Sequence, residues 1–312
     1  MKIFRSLDDI QKNDNCVLTT GTFDGVHLGH QSIIRTLHDS VSDQNECVTI
    51  VTFEPHPQFV VKSPQKNNLR LLTTIEEKIE ILQNLNVDRI IIVPFDEQFA
   101  QLSSHEFIEK ILVQRIGFKK IIIGYDHAFG KDRQGNLEIL EQLSKKYNYS
   151  IVVLPPFAVN GEIISSTKIR NLLSKGDVES AAKYLGRNYR LAGEVITGEG
   201  RGRTINIPTA NLKPLSRDKL IPKDGIYAVW AELENQKFKA VLYIGVKPTF
   251  AYYQQTIELH IFDFSGDLYG EIIEIEFRAK IRDDHHFDRI EKLIEQIEID
   301  KQRTLQILTN EY

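Results

Sequence analysis

The chain has 312 residues, and chains of this length usually form two hydrophobic cores instead of one. Hydrophobic residues make up 41% and charged residues 26%, with a formal net charge of −4. This is the composition of a soluble globular protein without the basic excess typical of nucleic-acid binding. No run reaches the ~18 apolar residues of a membrane span, and no signal sequence opens the chain. We therefore expect a cytoplasmic protein with neither a membrane nor a nucleic acid as partner, while the question of a homo-oligomer stays open.

The two cysteines, Cys16 and Cys47, lie in apolar runs that have the character of strands. A pair of cysteines buried in this way is typical of proteins from reducing compartments. The sequence therefore predicts two buried thiols and no disulfide.

The first half of the chain alternates between continuous apolar runs and segments with helical periodicity. The run at Cys16 to Leu18 is followed by further strand candidates at Val48 to Phe53, Arg89 to Phe95, Lys120 to Gly124 and Ile151 to Leu154. Between them, apolar residues recur at helical spacing, as at Ile75, Ile79 and Leu82. Uniformly apolar strands separated by helices predict a parallel sheet covered on both faces, with functional residues at the carboxyl ends of its strands.

Residues 21–30, directly after the first strand, read Gly-Thr-Phe-Asp-Gly-Val-His-Leu-Gly-His and lead into a helical pattern. Glycines let the backbone approach a ligand closely, and a helix N-terminus offers free N–H groups and the positive end of its dipole to a phosphate. His27 and His30 add two further donors. The pattern predicts a nucleotide-phosphate site, and the alternative it leaves open is a glycine-rich turn with surface histidines.

Three further polar clusters follow other strands of the predicted sheet. They are residues 52–57 (Thr-Phe-Glu-Pro-His-Pro), the glycine-containing residues 124–135, and residues 164–170, where Ser165, Ser166 and Thr167 precede Lys168. Because parallel strands end at the same edge of a sheet, all four clusters are expected on one rim. Serine and threonine at a helix start cap the helix, and such a start also binds anions.

These four segments resemble the adenylyltransferase module of the prokaryotic bifunctional riboflavin kinase/FMN adenylyltransferases, also called FAD synthetases, and the first of them resembles the signature of the HxGH nucleotidylyltransferases. The resemblance covers residues 15–170. It implies a Rossmann-like domain that joins FMN to the AMP part of ATP, with His27 and His30 as catalytic residues. The ATP contacts that it implies are Gly21, Phe23, Asp24, His27, Gly29, His30, Ser166, Thr167 and Arg170. On the side of the flavin and the transferred phosphate it implies His56 and Asp126.

The pattern changes near residue 185, where helical periodicity ends at Gly186. Beyond it, strand candidates without intervening helices lie at Tyr189 to Ile196, Tyr227 to Leu233, Lys239 to Ile244, Thr256 to Phe262 and Glu271 to Ile281. We therefore expect a first domain over 1–185 and a small antiparallel β-barrel or sheet over 186–312. A closing amphipathic helix is predicted with an apolar stripe made of Phe287, Ile290, Ile294 and Ile297.

A loop rich in glycine and arginine follows the first strand of the second half, and Ile-Pro-Thr-Ala-Asn stands after it at 207–211. Glycine N–H groups and guanidinium forks match phosphate oxygens. The candidate nucleotide contacts of this loop are Gly198, Gly200, Arg201, Gly202 and Arg203. Thr209 and Asn211 lie on one side of an extended segment and offer neutral oxygens of the kind that Mg²⁺ accepts. The alternative is an ordinary hairpin loop followed by a turn.

The Pro-Thr-Ala-Asn segment, together with residues 222–227, 245–250, 258–264 and 268–270, resembles the riboflavin kinase module of the same two-module family. The resemblance implies that Thr209 and Asn211 bind ATP and Mg²⁺ and that Glu258 is the base for the ribityl 5′-hydroxyl. Two positions depart from the family pattern, since Asn206 replaces a glycine and Lys247 replaces an arginine. An altered kinase loop is one consequence that stays open.

The expected function is therefore phosphorylation of riboflavin to FMN by the second domain and adenylylation of FMN to FAD, with release of pyrophosphate, by the first. The small molecules involved are ATP, riboflavin, FMN and FAD, with Mg²⁺ as the metal. Three alternatives stay open: an enzyme with one degenerate module, a flavin-sensing regulator without turnover, and an HxGH enzyme that acts on another phosphate acceptor.

Overall fold

The computed structural model describes residues 1–61, 69–125, 137–198, 207–248 and 253–309. The chain divides into two compact units, Met1–Ser166 and Thr167–Tyr312. Within the described ranges, no helix is both long enough and apolar enough to cross a bilayer. Each unit has a hydrophobic core of its own.

A parallel sheet of six strands forms the centre of the first unit, in the order β1-β4-β3-β2-β5-β6. The strands are β1 Lys2–Phe4, β2 Cys16–Thr20, β3 Cys47–Glu54, β4 Arg89–Pro94, β5 Lys120–Gly124 and β6 Ser150–Leu154. The prediction of five apolar strands in a parallel sheet is confirmed. β1 escapes sequence analysis because it is a short edge strand whose residues Lys2 and Ile3 are exposed, so it lacks the apolar run of a buried strand.

Helices cover both faces of this sheet, as the apolar strands predict. They are α1 Leu28–Asp39, α2 Pro57–Val60, α3 Ile75–Asn84, α4 Ser104–Glu106, a π-helical segment Phe107–Ile116 and α5 Leu137–Tyr147. Alternate residues of β4 enter two separate cores: Ile90 and Ile92 pack with α1 and α3, and Ile91 and Val93 with the π-helical segment and α5. A short hairpin, β7 Ala158–Val159 and β8 Glu162–Ile163, completes the unit.

The cysteines correct the sequence analysis. β2 and β3 pair in a register that sets Cys16 directly opposite Cys47, with Cα atoms 4.5 Å apart, and the two sulfurs form a disulfide. The prediction of two free thiols is therefore wrong for this structure. A sequence separation of 31 residues carries no information about register, and register alone decides whether two cysteines on neighbouring strands come within bonding distance.

The second unit is a closed antiparallel barrel in the order β10-β13-β12-β11-β14-β9, preceded by two helices and followed by one. Its elements are α6 Ser166–Leu173, which begins at the last residue of the first unit, α7 Val178–Leu185, β9 Arg190–Ile196, β10 Ala210–Pro214, β11 Gly225–Leu233, β12 Gln236–Pro248, β13 Tyr253–Ile261, β14 Ile272–Arg282 and α8 Ile290–Thr309. The predicted barrel with a closing helix is confirmed. Leu242, Ile257 and Phe277 are among the residues buried inside it.

The buried face of α8 differs from the predicted stripe. Phe287 precedes the helix, and Ile290 and Ile294 are exposed. The side chains that the helix buries are Asp300, Thr304 and Leu308. Asp300 accepts hydrogen bonds from Nε (3.1 and 3.0 Å) and Nη2 (2.8 Å) of Arg282 on β14, so an ion pair, invisible to hydrophobic periodicity, fixes the rotation of the helix.

Candidate active sites

The loop after β2 has an unusual backbone. Phe23 (φ 48°), Gly25 (φ 83°) and Val26 (φ 37°) are all in the left-handed region, which Phe and Val rarely adopt. Hydrogen bonds from a neighbouring segment hold this conformation: the Asp24 carboxylate accepts from the backbone N–H of Leu72 (2.9 Å) and of Thr73 (3.2 Å). A strained loop fixed in this way is typical of ligand-binding sites.

His27 and His30 lie together at the start of α1. His27 is the N-cap, and its Nδ1 accepts a hydrogen bond from the backbone N–H of His30 (3.3 Å). Because Nδ1 is the acceptor, the proton of the neutral imidazole is on Nε2. The two rings stack with centroids 3.7 Å apart, and the Phe23 ring lies 4.9 Å from that of His30. A helix N-terminus with two adjacent imidazoles is suited to binding a phosphate.

The carboxyl ends of other strands contribute to the same edge of the sheet. From β3, the Thr52 hydroxyl donates to the Thr22 carbonyl oxygen (3.2 Å). From the start of α6, the Ser166 hydroxyl donates to the Asp24 carbonyl oxygen (2.9 Å). A Cβ added to Gly29 would lie 3.1 Å from the His27 ring and 3.8 Å from Phe157 Cβ, so a glycine here leaves room for that imidazole. Parallel strands thus bring three of the four predicted clusters together.

The remaining predicted residues of this half are less closely defined. His56, which is 8% exposed, caps α2 by accepting from the Gln58 N–H at 3.2 Å, and it follows the carboxyl end of β3. Thr167 and Arg170 lie on α6 and belong to the second unit. Asp126, in the cluster of residues 124–135, lies outside the described residues.

Lys78 is a residue of this site that the sequence analysis does not find. It is 5% exposed, and its ammonium donates to the Thr22 carbonyl oxygen (2.7 Å) and to the Thr52 hydroxyl (3.2 Å). Burial lowers the pKa of Lys78, and the negative charges of Asp24 and Glu54 oppose that shift. Its signal in the sequence is a lysine on the apolar helical stripe of Ile75, Ile79 and Leu82.

The barrel carries a second polar site. Asn211 on β10 pairs directly with Glu258 on β13, so their side chains share one face. The Thr209 hydroxyl donates to Oε2 of Glu258 (3.2 Å), and His260 Nδ1 lies 2.8 Å from the Pro208 carbonyl oxygen. Thr209 and Asn211 therefore lie beside Glu258, although the two segments are far apart in sequence. Among the residues described, no group of three or more His, Cys, Asp or Glu side chains is placed to bind a metal. The side chains of Thr209 and Asn211 carry the neutral oxygens of the kind that Mg²⁺ accepts.

Tyr243 is a further member of this site that sequence analysis misses. It is the direct neighbour of Glu258 on β12, and its hydroxyl donates to Oδ2 of Asp284 (3.0 Å). Burial raises the pKa of Tyr243, and the charges of Asp284 and Glu258 raise it further, so it remains a neutral donor. Only the strand register relates Tyr243 to Glu258.

Gly198 is the only candidate loop residue in the part of the chain that the structure describes. Gly200, Arg201, Gly202, Arg203 and Asn206 lie outside it, as does the side chain of Lys247. A Cβ at Gly198 would overlap the carboxamide of Asn211. The glycine is thus what allows the Asn211 side chain to lie against the backbone of this loop.

This contact gives a test. We expect Gly198→Ala to displace the Asn211 carboxamide, to lower the rate of FMN formation by about 10- to 100-fold and to raise the Mg²⁺ concentration that half-maximal activity requires. Riboflavin, ATP and a Mg²⁺ titration provide the measurement. Thr197→Ala, at the exposed neighbouring position, is the control. Unchanged Mg²⁺ dependence in Gly198→Ala would contradict a metal-binding role of Asn211.

Two protein-family models match this chain, one in each half. The FAD synthetase family model matches residues 9–168, and the riboflavin kinase family model matches residues 185–308. The chain belongs to the bifunctional riboflavin kinase/FMN adenylyltransferase family. Both halves of the family are present, which favours the bifunctional interpretation over a flavin-sensing regulator or an HxGH enzyme with another acceptor.

Relatives match over nearly their whole length. The bifunctional riboflavin kinase/FMN adenylyltransferase of Haemophilus influenzae is 37% identical, covering 96% of this chain and 97% of the relative. That of Bacillus subtilis is also 37% identical, with coverages of 94% and 93%. A crystal structure described as a macrolide-efflux protein from Streptococcus pneumoniae has a TM-score of 0.87 and 30% identity over 97% of each chain. That description concerns the pneumococcal protein, and the family assignment rests on the two models and the relatives.

Proposed function

We propose that this chain phosphorylates riboflavin to FMN in its barrel and adenylylates FMN to FAD in its parallel-sheet domain. The observation that carries the proposal is the presence of two separate phosphate-directed sites. One is the His27–His30 pair at a helix N-terminus, and the other is the Thr209, Asn211 and Glu258 group on the barrel. Neither reaction needs a covalent intermediate, so positioning and charge stabilisation are what the protein must supply.

In the adenylylation, a phosphate oxygen of FMN attacks the α-phosphorus of ATP, and the bond from that phosphorus to the pyrophosphate oxygen breaks. His27 Nε2–H and His30 donate to the phosphate oxygens as negative charge shifts to the departing pyrophosphate. ATP is held by the backbone around Gly21, Phe23, Asp24 and Gly29 and by Ser166, Thr167 and Arg170. His56 and Asp126 act on the side of the flavin phosphate.

In the phosphorylation, the ribityl 5′-hydroxyl attacks the γ-phosphorus of ATP while Glu258 accepts the hydroxyl proton, and ADP leaves. The Thr209 hydroxyl, which donates to Glu258, orients the carboxylate. Gly198, Gly200, Arg201, Gly202 and Arg203 hold the nucleotide phosphates. Thr209 and Asn211 would hold Mg²⁺, which when bound would offset the negative charge of the phosphate oxygens.

We further propose that residues 1–185 and 186–312 are the two catalytic modules and that the enzyme works in the cytoplasm on small molecules alone. Both reactions consume ATP, and the net charge of −4 gives no electrostatic attraction to nucleic acid.

The function is tested with purified full-length chain, riboflavin, ATP and Mg²⁺, followed by chromatographic separation of the flavins. We expect FMN to appear first and FAD to follow, and we expect FMN with ATP to give FAD without riboflavin. Flavin binding without ATP consumption would identify a regulator instead. Formation of FMN alone, or of FAD only from added FMN, would identify a chain with one inactive module.

A further inference from the structure

Lys78 is buried next to the loop that follows β2 and carries Phe23, Gly25 and Val26. Lysine is seldom buried in proteins unless its ammonium has partners. Its ammonium has two hydrogen-bond acceptors, the Thr22 carbonyl oxygen (2.7 Å) and the Thr52 hydroxyl (3.2 Å). The Thr52 hydroxyl in turn donates to the same carbonyl (3.2 Å). Both residues therefore donate to the backbone carbonyl of Thr22, which directly precedes the residues with left-handed backbone conformation.

The same short segment that carries Lys78 supplies the other restraints on this loop. The backbone N–H groups of Leu72 and Thr73 donate to the Asp24 carboxylate, and the Gly25 N–H donates to the Thr73 hydroxyl at 3.0 Å. Asp24 is 2% exposed, and a buried carboxylate is stable only beside donors and a compensating charge. The negative charges of Asp24 and Glu54 also act on the Lys78 ammonium, where they oppose the lowering of its pKa by burial.

The loop leads straight into the reactive residues. The Val26 N–H donates to the Phe23 carbonyl oxygen (3.1 Å), and the Phe23 ring lies against His30. His27 follows as the N-cap of α1. The backbone conformation at Thr22 and Phe23 therefore fixes the positions of the two imidazoles.

We propose that Lys78 is a positioning residue for FAD formation: its buried ammonium holds the Thr22 carbonyl and the Thr52 hydroxyl, and thereby keeps the loop in the conformation that aims His27 and His30 at the nucleotide. Lys78 touches no substrate in this role. The inference rests on the proposed adenylyltransferase activity, and it adds a requirement for one buried charge outside the phosphate-binding motif.

Lys78→Met keeps the length of the side chain and removes the charge and the donors. We expect the kcat for FAD formation from FMN and ATP to fall by about 10²-fold, the effect of misplacing a catalytic group by about 1 Å. The kcat for FMN formation from riboflavin is expected to stay the same. Lys145→Met, an exposed lysine on α5, is the matched control and is expected to have wild-type activity.

A positioning role differs from a purely structural one in its coupling to His27. If Lys78 acts through the histidines, Lys78→Met should lower the activity of a His27→Ala variant by a clearly smaller factor than it lowers that of the wild type, because one of the two groups that it positions is already absent. A general loss of folded protein would lower both backgrounds by the same factor and would overturn the proposal. Thermal unfolding of each variant is measured in parallel.

A folded Lys78→Met variant with a kcat within about threefold of wild type would also overturn the proposal. If this variant does not fold, Thr52→Val decides, since it removes one of the two acceptors with almost no change in volume. Because the Thr52 hydroxyl accepts from Lys78 and also donates to the Thr22 carbonyl oxygen, a fall of at least about fivefold in the kcat for FAD formation, the effect of one hydrogen bond, supports the proposal, and an unchanged kcat overturns it. Absence of FAD formation in the wild-type chain would instead contradict the proposed function, so the two failures are distinguishable.

Discussion

Replacing both His27 and His30 by alanine is expected to abolish FAD formation from FMN and ATP while riboflavin is still converted to FMN. Loss of a single preorganised donor to a developing negative charge commonly lowers kcat by about 10²- to 10³-fold, so we expect at least the upper value for the pair. The structural reason is that both imidazoles lie at one helix N-terminus with ring centroids 3.7 Å apart. Two donors and the helix dipole act there on one phosphate.

The single variants are expected to differ. His27→Ala removes the N-cap acceptor of the His30 N–H as well as the Nε2–H donor, whereas His30→Ala removes a donor and its ring contacts but leaves the N-cap in place. Loss of an N-cap costs about 1 kcal/mol of stability, so the thermal midpoint of the parallel-sheet domain should fall more for His27→Ala. His38→Ala is the matched control on the same helix, because His38 Nε2 contacts the Leu85 carbonyl (3.0 Å) away from the site. FAD formation in the double variant at a rate near that of wild type would contradict the proposed role.

Glu258→Gln is expected to stop FMN formation while FMN and ATP still give FAD. General-base catalysis contributes about 10²- to 10⁴-fold to a rate, and glutamine cannot accept the hydroxyl proton. Glutamine retains the size of the side chain and an acceptor for the Thr209 hydroxyl, which lies 3.2 Å from Glu258 Oε2, so the barrel is expected to remain folded. The measurement is the initial rate of each reaction with the full chain.

Glu194→Gln is the control for this experiment, since Glu194 is an exposed glutamate on β9 of the same barrel. Its two activities should equal those of the wild type. Loss of both activities in Glu258→Gln would contradict independent sites, and retention of FMN formation would assign the base to another group. The wild-type chain in the same assay tests whether the departures at Asn206 and Lys247 leave the kinase active. If it forms FAD from FMN but no FMN from riboflavin, they do not.

The sequence by itself determined the architecture, and it predicted where the two candidate sites lie. In an apolar run such as Ile90 to Val93, the side chains on both faces of the strand are apolar. Such strands require a sheet that is covered by helices on both faces. Parallel strands bring their carboxyl ends to one edge of the sheet. For this reason Thr52 and Ser166, which come from two other clusters, both contact the loop at Thr22 to Asp24. Strand candidates without intervening helices predicted the antiparallel barrel of the second half.

Only the tertiary structure decided which residues support those sites. Strand register sets Tyr243 beside Glu258 and joins Cys16 to Cys47, and no local pattern encodes register. Lys78 and Asp300 lie at buried helical positions that hydrophobic periodicity reserves for apolar side chains. Each is stable there because residues distant in sequence satisfy its charged group: the Thr22 carbonyl oxygen and the Thr52 hydroxyl accept from Lys78, and Arg282 forms an ion pair with Asp300. Such pairing energy exists only once the chain has folded, and this is the physical reason that the sequence pattern could not reveal it.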